Sequence, residues 1–229
     1  HIRGSISSTF RIERAQFFEE TRRHATETAA LLQTSLALTD LNLENILQTI
    51  GERASALFES DACRIFLTEE ADPTTLRCAL ALGENQEALL GLKVNLGEGV
   101  TGSVAAQGQA EIVNDMQNDP RAVQVNGTPE EEESIMFAPL KLGNQVIGVM
   151  SVKRLSLERP FLPSDLELLK AFASMSASAV SNARLFESTH QRVQELEMLH
   201  ESGMALNQLL TPKKIGQRII DLLKHKMNW

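Results

Sequence analysis

The sequence is poor in the residues on which several classes of protein depend. Its two cysteines, Cys63 and Cys78, are too few for a disulfide framework or a four-thiolate metal site, and we expect both to be reduced, buried thiols. None of its five histidines lies between Ala25 and Thr189, so a haem or zinc site within that span would lack its commonest ligand. The sequence therefore predicts no cofactor and no metal.

Two further absences concern the partners. The formal net charge is −8 with basic residues dispersed among acidic ones, which disfavours a broad surface for nucleic acid or anionic membranes. No apolar run approaches the roughly 20 residues that a membrane-spanning helix needs, and no signal segment opens the chain. These features predict a cytoplasmic protein with no nucleic-acid partner and no membrane contact.

The hydrophobic pattern predicts two helices near the start of the chain. Residues 1–9 are interpreted as an expression remnant or a disordered segment. After them, five positions recur every seven residues, as in a helix with a narrow apolar seam: Phe10, Phe17, His24, Leu31 and Leu38. Asp40 can cap a second helix, whose apolar residues between Leu43 and Phe58 fall on one face.

The middle of the chain alternates between strand and turn patterns. The stretches "CRIFLTEE" and "TLRCALALG" predict one antiparallel hairpin, and "ESIMFAPLKLGNQVIGVMSVKR" predicts a second. Between them, "LKVNLG" is typical of a strand with one solvent-exposed face. The stretch "VTGSVAAQG" predicts a short helix that ends at Gly108, before the apolar stretch "AEIVND".

A long helix is predicted to begin at Pro163, Ser164 and Asp165, because no glycine or proline interrupts the chain from there to Ser202. Its second half places a few apolar residues among charged ones: Phe186, Val193, Leu196 and Leu199. Such a seam is left in water unless a second copy covers it, so we expect a homodimer through the linker helices.

Gly97, Gly99 and Gly102 have the spacing G-x-G-x-x-G, with Asp115 downstream. A dinucleotide site would follow a buried parallel strand, open a helix of three turns or more and lead into strand–helix–strand units. Here the preceding strand alternates, the helix has about two turns, and hairpins lie on both sides. The motif therefore predicts a tight turn and a helix start.

Three stretches in this order, "LGEGVTGSVAAQGQAEIVNDMQNDPR", "SIMFAPLKLGNQVIGVMSVKR" and "PFLPSDLELLKAFASMSASAVSNARLFE", resemble a GAF domain over residues 40–187. The resemblance implies an α+β fold with a GAF-like central antiparallel β-sheet of about six strands, helices on one face, and a ligand cavity on the other. Long N- and C-terminal linker helices, residues 10–39 and 188–207, flank it. An internal repeat, in which Phe18 matches Phe186, predicts that residues 208–229 start a second, truncated GAF-like domain.

Resemblance and strand parity together predict a site that suits a small organic ligand. Its predicted lining consists of Val100, Thr101, Asn114, Asp115, Arg121, Met136 and Ser151. For Arg121 an alternative stays open, in which it forms a turn cap and local ion pair with Asp119. The acidic run Glu130–Glu133 reads as a solvated loop that could also act as a lid.

The sequence lacks parts of the motifs by which other members of the family bind cyclic nucleotides or bilins. Cyclic-nucleotide-binding members have the pattern F-x-x-x-D-E, whereas this chain has Phe161 and Asp165 followed by Leu166. Both residues have a structural interpretation, as a hydrophobic anchor and a first-turn acid. Bilin attachment needs a cysteine near the cavity helices, but none follows Cys78.

The resemblance implies a regulatory, small-molecule-sensing and dimerising module rather than an enzyme. It would relay the state of an unknown ligand through the linker helices to an effector domain in the same protein, such as a sensor histidine kinase or a cyclic-dinucleotide enzyme. One alternative is a dimerisation and signal-transmission module with no ligand. A third is an enzyme similar to methionine sulfoxide reductases.

Overall fold

The computed structural model describes residues 42–123, 133–155 and 159–209, together with positions 216 and 220. The chain divides into two compact units at Arg184 and Leu185, and each is treated by itself. The predicted N-terminal helix, the acidic run 130–132 and most of the predicted second domain lie outside the described residues.

Ten elements follow one another along the chain. They are α1 (Leu43–Phe58), β1 (Ala62–Thr68), β2 (Thr75–Leu82), α2 (Gln86–Leu89), β3 (Lys93–Asn95), α3 (Gly99–Gln107), β4 (Glu111–Val113), β5 (Ser134–Leu142), β6 (Gln145–Arg154) and α4 (Pro163–Leu209).

The strands form one six-stranded sheet in the order β3-β2-β1-β6-β5-β4, and all neighbouring pairs are antiparallel. The hairpins β1–β2 and β5–β6 are the two that the sequence predicts, and β1 and β6 join them at the centre of the sheet. The predicted antiparallel sheet of about six strands is confirmed.

Helix α1 begins one residue after Asn42, whose side chain accepts a hydrogen bond from the Glu44 backbone N–H at 2.7 Å. The cap is therefore Asn42, and the predicted cap, Asp40, was wrong. An asparagine directly before the first turn satisfies an otherwise unpaired N–H group of the helix start. The helix ends at Phe58, and the next residue, Glu59, takes a left-handed conformation with φ of 45°.

Both faces of the sheet are covered. On one, here called the α1/α4 face, the apolar residues of α1 pack with those of α4 up to Ala183, including Leu169, Phe172 and Val180. On the other, here called the α3 face, Val100 and Val104 of α3 pack on strand residues. Since side chains alternate along a strand, neighbouring residues of β5 and β6 belong to opposite faces.

The start of α4 explains the F-x-x-x-D pattern. Phe161 is 2% exposed and lies in the core, and its ring stacks against the Arg154 guanidinium at 4.1 Å. The Asp165 carboxylate accepts a hydrogen bond from the Leu162 N–H at 2.9 Å, as a capping acid does. The structure thus supports a structural role for Phe161 and Asp165.

In the second unit, α4 continues from Leu185 to Leu209 with apolar side chains exposed. Phe186, Val193, Leu196 and Leu199 of the predicted seam are between 46% and 65% exposed. The Phe186 ring stacks on the His190 ring one turn later, with 6.1 Å between the ring centroids. None of the helices among the described residues has the length and apolarity that would let it cross a bilayer.

Candidate functional site

The glycine motif forms the entry to α3. The Gly97 N–H donates to the Gly102 carbonyl at 2.8 Å, and the Gly102 N–H donates to the Glu98 carbonyl at 2.9 Å. Gly97 and Gly99 have φ values of 84° and 61°, which L side chains rarely adopt. A Cβ at Gly102 would lie 2.2 Å from the Asn95 carbonyl oxygen. All three glycines are therefore explained by the predicted turn and helix start.

The Arg121 guanidinium is held by two carboxylates within the chain. It donates to Glu111 at 2.8 and 3.0 Å, and to Asp119 at 3.0 and 2.8 Å. Asp119 also accepts the Arg121 backbone N–H at 2.8 Å, and its hydrogen bonds with Arg121 lower its pKa. Four of the five N–H donors of Arg121 are thus engaged, which favours the structural interpretation of this residue.

Asn114 and Asp115 also serve the local structure. The Asn114 Oδ1 accepts from the Ser134 hydroxyl at 2.6 Å and from the Phe161 N–H at 3.1 Å. It therefore ties the end of β4 to the start of β5 and to the segment before α4. The Asp115 carboxylate accepts from the Asn118 N–H at 3.2 Å and from its side-chain amide at 2.7 Å.

The remaining predicted lining residues do not share one face. Val100 is buried in the α3-face cluster, with Thr101 partly buried beside it, and Ser151 lies opposite Phe137, a member of that cluster. Met136 is fully buried in the α1/α4-face cluster and pairs with Val152. The structure therefore brings Val100 and Ser151 to one face and Met136 to the other.

A register shift in the β5–β6 hairpin separates Met136 from Ser151. Next to the turn, Leu142 pairs with Gln145 and Lys141 with Val146, a register that would set Met136 opposite Ser151. The register shifts between Leu140 and Lys141, and such a shift moves a side chain to the other face. Met136 therefore lies on the α1/α4 face, away from Val100 and Ser151, and ligand binding by the seven predicted residues stays a prediction.

Sequence reasoning missed the charged residues of the α3 face. Arg64 of β1 pairs with Ser151, and Lys153 of β6 pairs with Ala62 and Ile135. Lys153 is only 8% exposed, and its ammonium group lies 3.0 Å from the Glu133 carboxylate.

Burial lowers the pKa of the partly buried Arg64 guanidinium, and the Glu133 carboxylate acts in the opposite direction. The sequence indicates this placement, because residues an even number apart on a strand share a face. Arg64 stands two residues before Phe66, and Lys153 stands four residues after Val149; both apolar residues are buried on the α3 face.

The two thiols are separated by the sheet. Cys63 belongs to the α1/α4-face cluster and Cys78 to the α3-face cluster. Burial raises the pKa of Cys63 to about 12 and that of Cys78 to about 11. Both are therefore protonated at neutral pH, where a nucleophilic thiol needs a lowered pKa.

Comparison with known proteins identifies the fold. The family model of the GAF domain matches residues 42–180, and the chain belongs to this family. It is 24% identical over 167 residues to the Nif-specific regulatory protein of Azospirillum lipoferum, covering 70% of this chain and 26% of that protein. The chain thus spans about a quarter of the length of this curated relative.

Many solved structures share the fold, including a GAF domain and a reductase. The GAF domain from a phosphoenolpyruvate-protein phosphotransferase of Coxiella burnetii matches with a TM-score of 0.63 and 18% identity, covering 72% of this chain and 96% of that one. The free methionine-R-sulfoxide reductase of Neisseria meningitidis, solved with its substrate, matches with a TM-score of 0.58 and 19% identity, covering 70% and 90%.

Proposed function

We propose that this chain is the ligand-sensing and dimerising module of a larger signal-transduction protein. The observation that carries the proposal is the contrast between the two faces of the sheet. Apolar residues make up the α1/α4-face cluster, whereas Arg64, Ser151 and Lys153 interrupt the α3 face. A small ligand that binds between apolar walls needs a few such polar groups for its orientation.

The relatives support a regulatory role. The Azospirillum relative is a Nif-specific regulatory protein, and this chain corresponds to about a quarter of it. By similarity, the module acts on an effector domain elsewhere in the same protein. A histidine kinase or a cyclic-dinucleotide enzyme as that effector stays a prediction.

The exposed seam of α4 supports dimerisation. With Phe186, Val193 and His200 at heptad position a, position d holds Thr189, Leu196 and Gly203. Three of these six positions, Phe186, Val193 and Leu196, are apolar, and Leu199 falls at position g. Apolar residues at positions a and d stabilise a two-stranded coiled coil, because they leave water together. A parallel pair would bring equivalent helices together, as a signalling relay through α4 requires.

The charge pattern favours a parallel orientation of the two helices. In the same heptad frame Arg192 is at position g and Glu197 at position e. In a parallel, in-register pair, a g residue faces the e residue five positions later on the partner, so Arg192 meets Glu197 of the second copy twice. We therefore propose a parallel dimer in register.

Two other functions compete with this one. A dimerisation module without a ligand would use the same seam of α4. An enzyme of the methionine-sulfoxide-reductase kind is disfavoured, since Cys63 and Cys78 lie on opposite faces with raised pKa values. The likeness to the Neisseria reductase concerns the fold alone.

Native mass spectrometry of the freshly purified chain tests the proposal. We expect the mass of two chains plus a small-molecule adduct on each, because a ligand held between apolar walls survives purification when it binds tightly. A dimer without any adduct would favour the module without a ligand. A single chain without an adduct at every protein concentration would contradict both.

A further inference from the structure

We propose that the α3 face binds an anionic group, a carboxylate or a phosphate, of a small organic ligand, and that the Arg64 guanidinium is its receptor. The inference rests on the proposed sensing function and names the chemical class of the ligand. It adds to the predicted site a residue that none of the family-based expectations included.

Arg64 is placed in the interior of the sheet. Its strand, β1, is hydrogen-bonded to β2 on one side and to β6 on the other, and Arg64 pairs with Ala81 and Ser151 on these strands. Two residues along β1, Phe66 belongs to the α3-face cluster, as does Ala81. The Arg64 side chain therefore leaves the sheet on the α3 face, among apolar neighbours.

The charge of Arg64 has no direct partner in the described parts of the chain. There the guanidinium makes neither a hydrogen bond nor an ion pair. The nearby carboxylate, Glu133, already lies 3.0 Å from the Lys153 ammonium. Both of these side chains are largely buried, at 22% and 10% exposure.

Other partly buried arginines of the same unit are engaged. Arg121 makes its four bonds to Glu111 and Asp119, and Arg154 donates to the Phe58 carbonyl at 3.2 and 2.6 Å. A desolvated charge without such partners is unfavourable for folding. Among the described residues, Arg64 is therefore a partly buried arginine without a direct counter-ion, which a ligand could supply.

The surroundings of Arg64 also indicate which chemical groups the ligand carries. A guanidinium presents parallel N–H donors that match the two oxygens of a carboxylate or phosphate. The Ser151 hydroxyl, on the neighbouring strand, offers a further donor, and Phe66 and Val149 provide an apolar wall for the organic part. Of the residues that the structure describes, Lys153 and the partly buried Arg64 outnumber the one nearby carboxylate, Glu133, which disfavours a cationic ligand.

Thermal unfolding of the full chain tests the site, with inorganic phosphate and succinate titrated separately at constant ionic strength. We expect one of them to raise the unfolding midpoint saturably in the wild type. Phosphate and succinate distinguish a phosphoryl from a carboxylate ligand. In Arg64→Gln the apparent dissociation constant should rise roughly tenfold or more, because a charged hydrogen-bonding group is lost.

Two controls make the result specific. Arg77→Gln removes an exposed arginine of the adjacent strand and should respond to the anion as the wild type does. Without anion, Arg64→Gln should unfold at the wild-type temperature or above it, since it removes a charge without a partner. Arg64→Lys keeps the charge but loses the parallel N–H donors of the guanidinium, so it should fold normally and bind the anion more weakly.

Several results would overturn the site. The first is that neither anion raises the unfolding midpoint of the wild type. The second is that the anion raises the midpoint of the wild type and of Arg64→Gln equally. The third is that Arg64→Gln is already unfolded without anion. A neutral ligand retained equally by the wild type and Arg64→Gln would overturn the anion site and leave the sensing function intact. Loss of the dimer alone would contradict the proposed dimerisation without affecting the anion response.

Discussion

Replacement of Gly102 by alanine is expected to lower the free energy of unfolding by roughly 3 kcal/mol, at the upper end of typical overpacking costs. The new Cβ would lie 2.2 Å from the Asn95 carbonyl oxygen and 3.1 Å from the Gly97 nitrogen. Both are backbone atoms of the turn, so no flexible side chain can move aside. Urea unfolding followed by far-ultraviolet circular dichroism measures the loss.

Gly143→Ala is the comparison for this change, because it adds backbone strain without a close contact. Gly143 has a positive φ, 59°, which Gly102 does not have, and no atom lies within 4 Å of the Cβ that alanine would add. Only the backbone strain remains, at about 1 to 2 kcal/mol. If Gly102→Ala lost no more stability than Gly143→Ala, the close approach at Gly102 would not have the expected cost.

The double substitution of Val193 and Leu196 by glutamate is expected to abolish the dimer while the GAF domain stays folded. It places four charges in the seam of a two-stranded pair and removes the burial of four apolar side chains. At roughly 1.5 kcal/mol or more for each, the dissociation constant should rise well over 100-fold. Sedimentation equilibrium measures it.

Gln191→Glu with Gln194→Glu is the control, because it adds the same charges to the same helix at positions f and b, outside the seam. Orientation has its own test: Arg192→Glu and Glu197→Arg should each weaken the dimer, and together they should restore it. A wild-type dissociation constant in the Val193 and Leu196 variant would show that this seam does not hold the pair.

Much of the fold could be predicted because its signals are local. The β5–β6 hairpin has a Gly143–Asn144 turn between two apolar strands, and the start of α4 has its proline and capping acid within three residues. Helix α2 was missed. It is one turn long and follows Asn85 in a left-handed conformation, so no apolar period marks it.

The candidate site could be predicted only in part, because it depends on pairing between strands. The alternation of side chains within β5 and within β6 can be read from the sequence. The register shift between Leu140 and Lys141 cannot, and it places Met136 and Ser151 on opposite faces. Arg64 was overlooked for a different reason. A charged residue in a central strand reads as solvated until the strands on both sides are known.

The central claim is that occupancy of the α3 face is coupled to the pairing of α4. The most direct test is the dimer dissociation constant of the full chain, measured by sedimentation equilibrium with and without a saturating concentration of the stabilising anion. We predict a change of about fivefold or more in the wild type, the lower end of typical coupling between sites, and none in Arg64→Gln. An unchanged dissociation constant in the wild type, with the anion shown to be bound, would contradict the account.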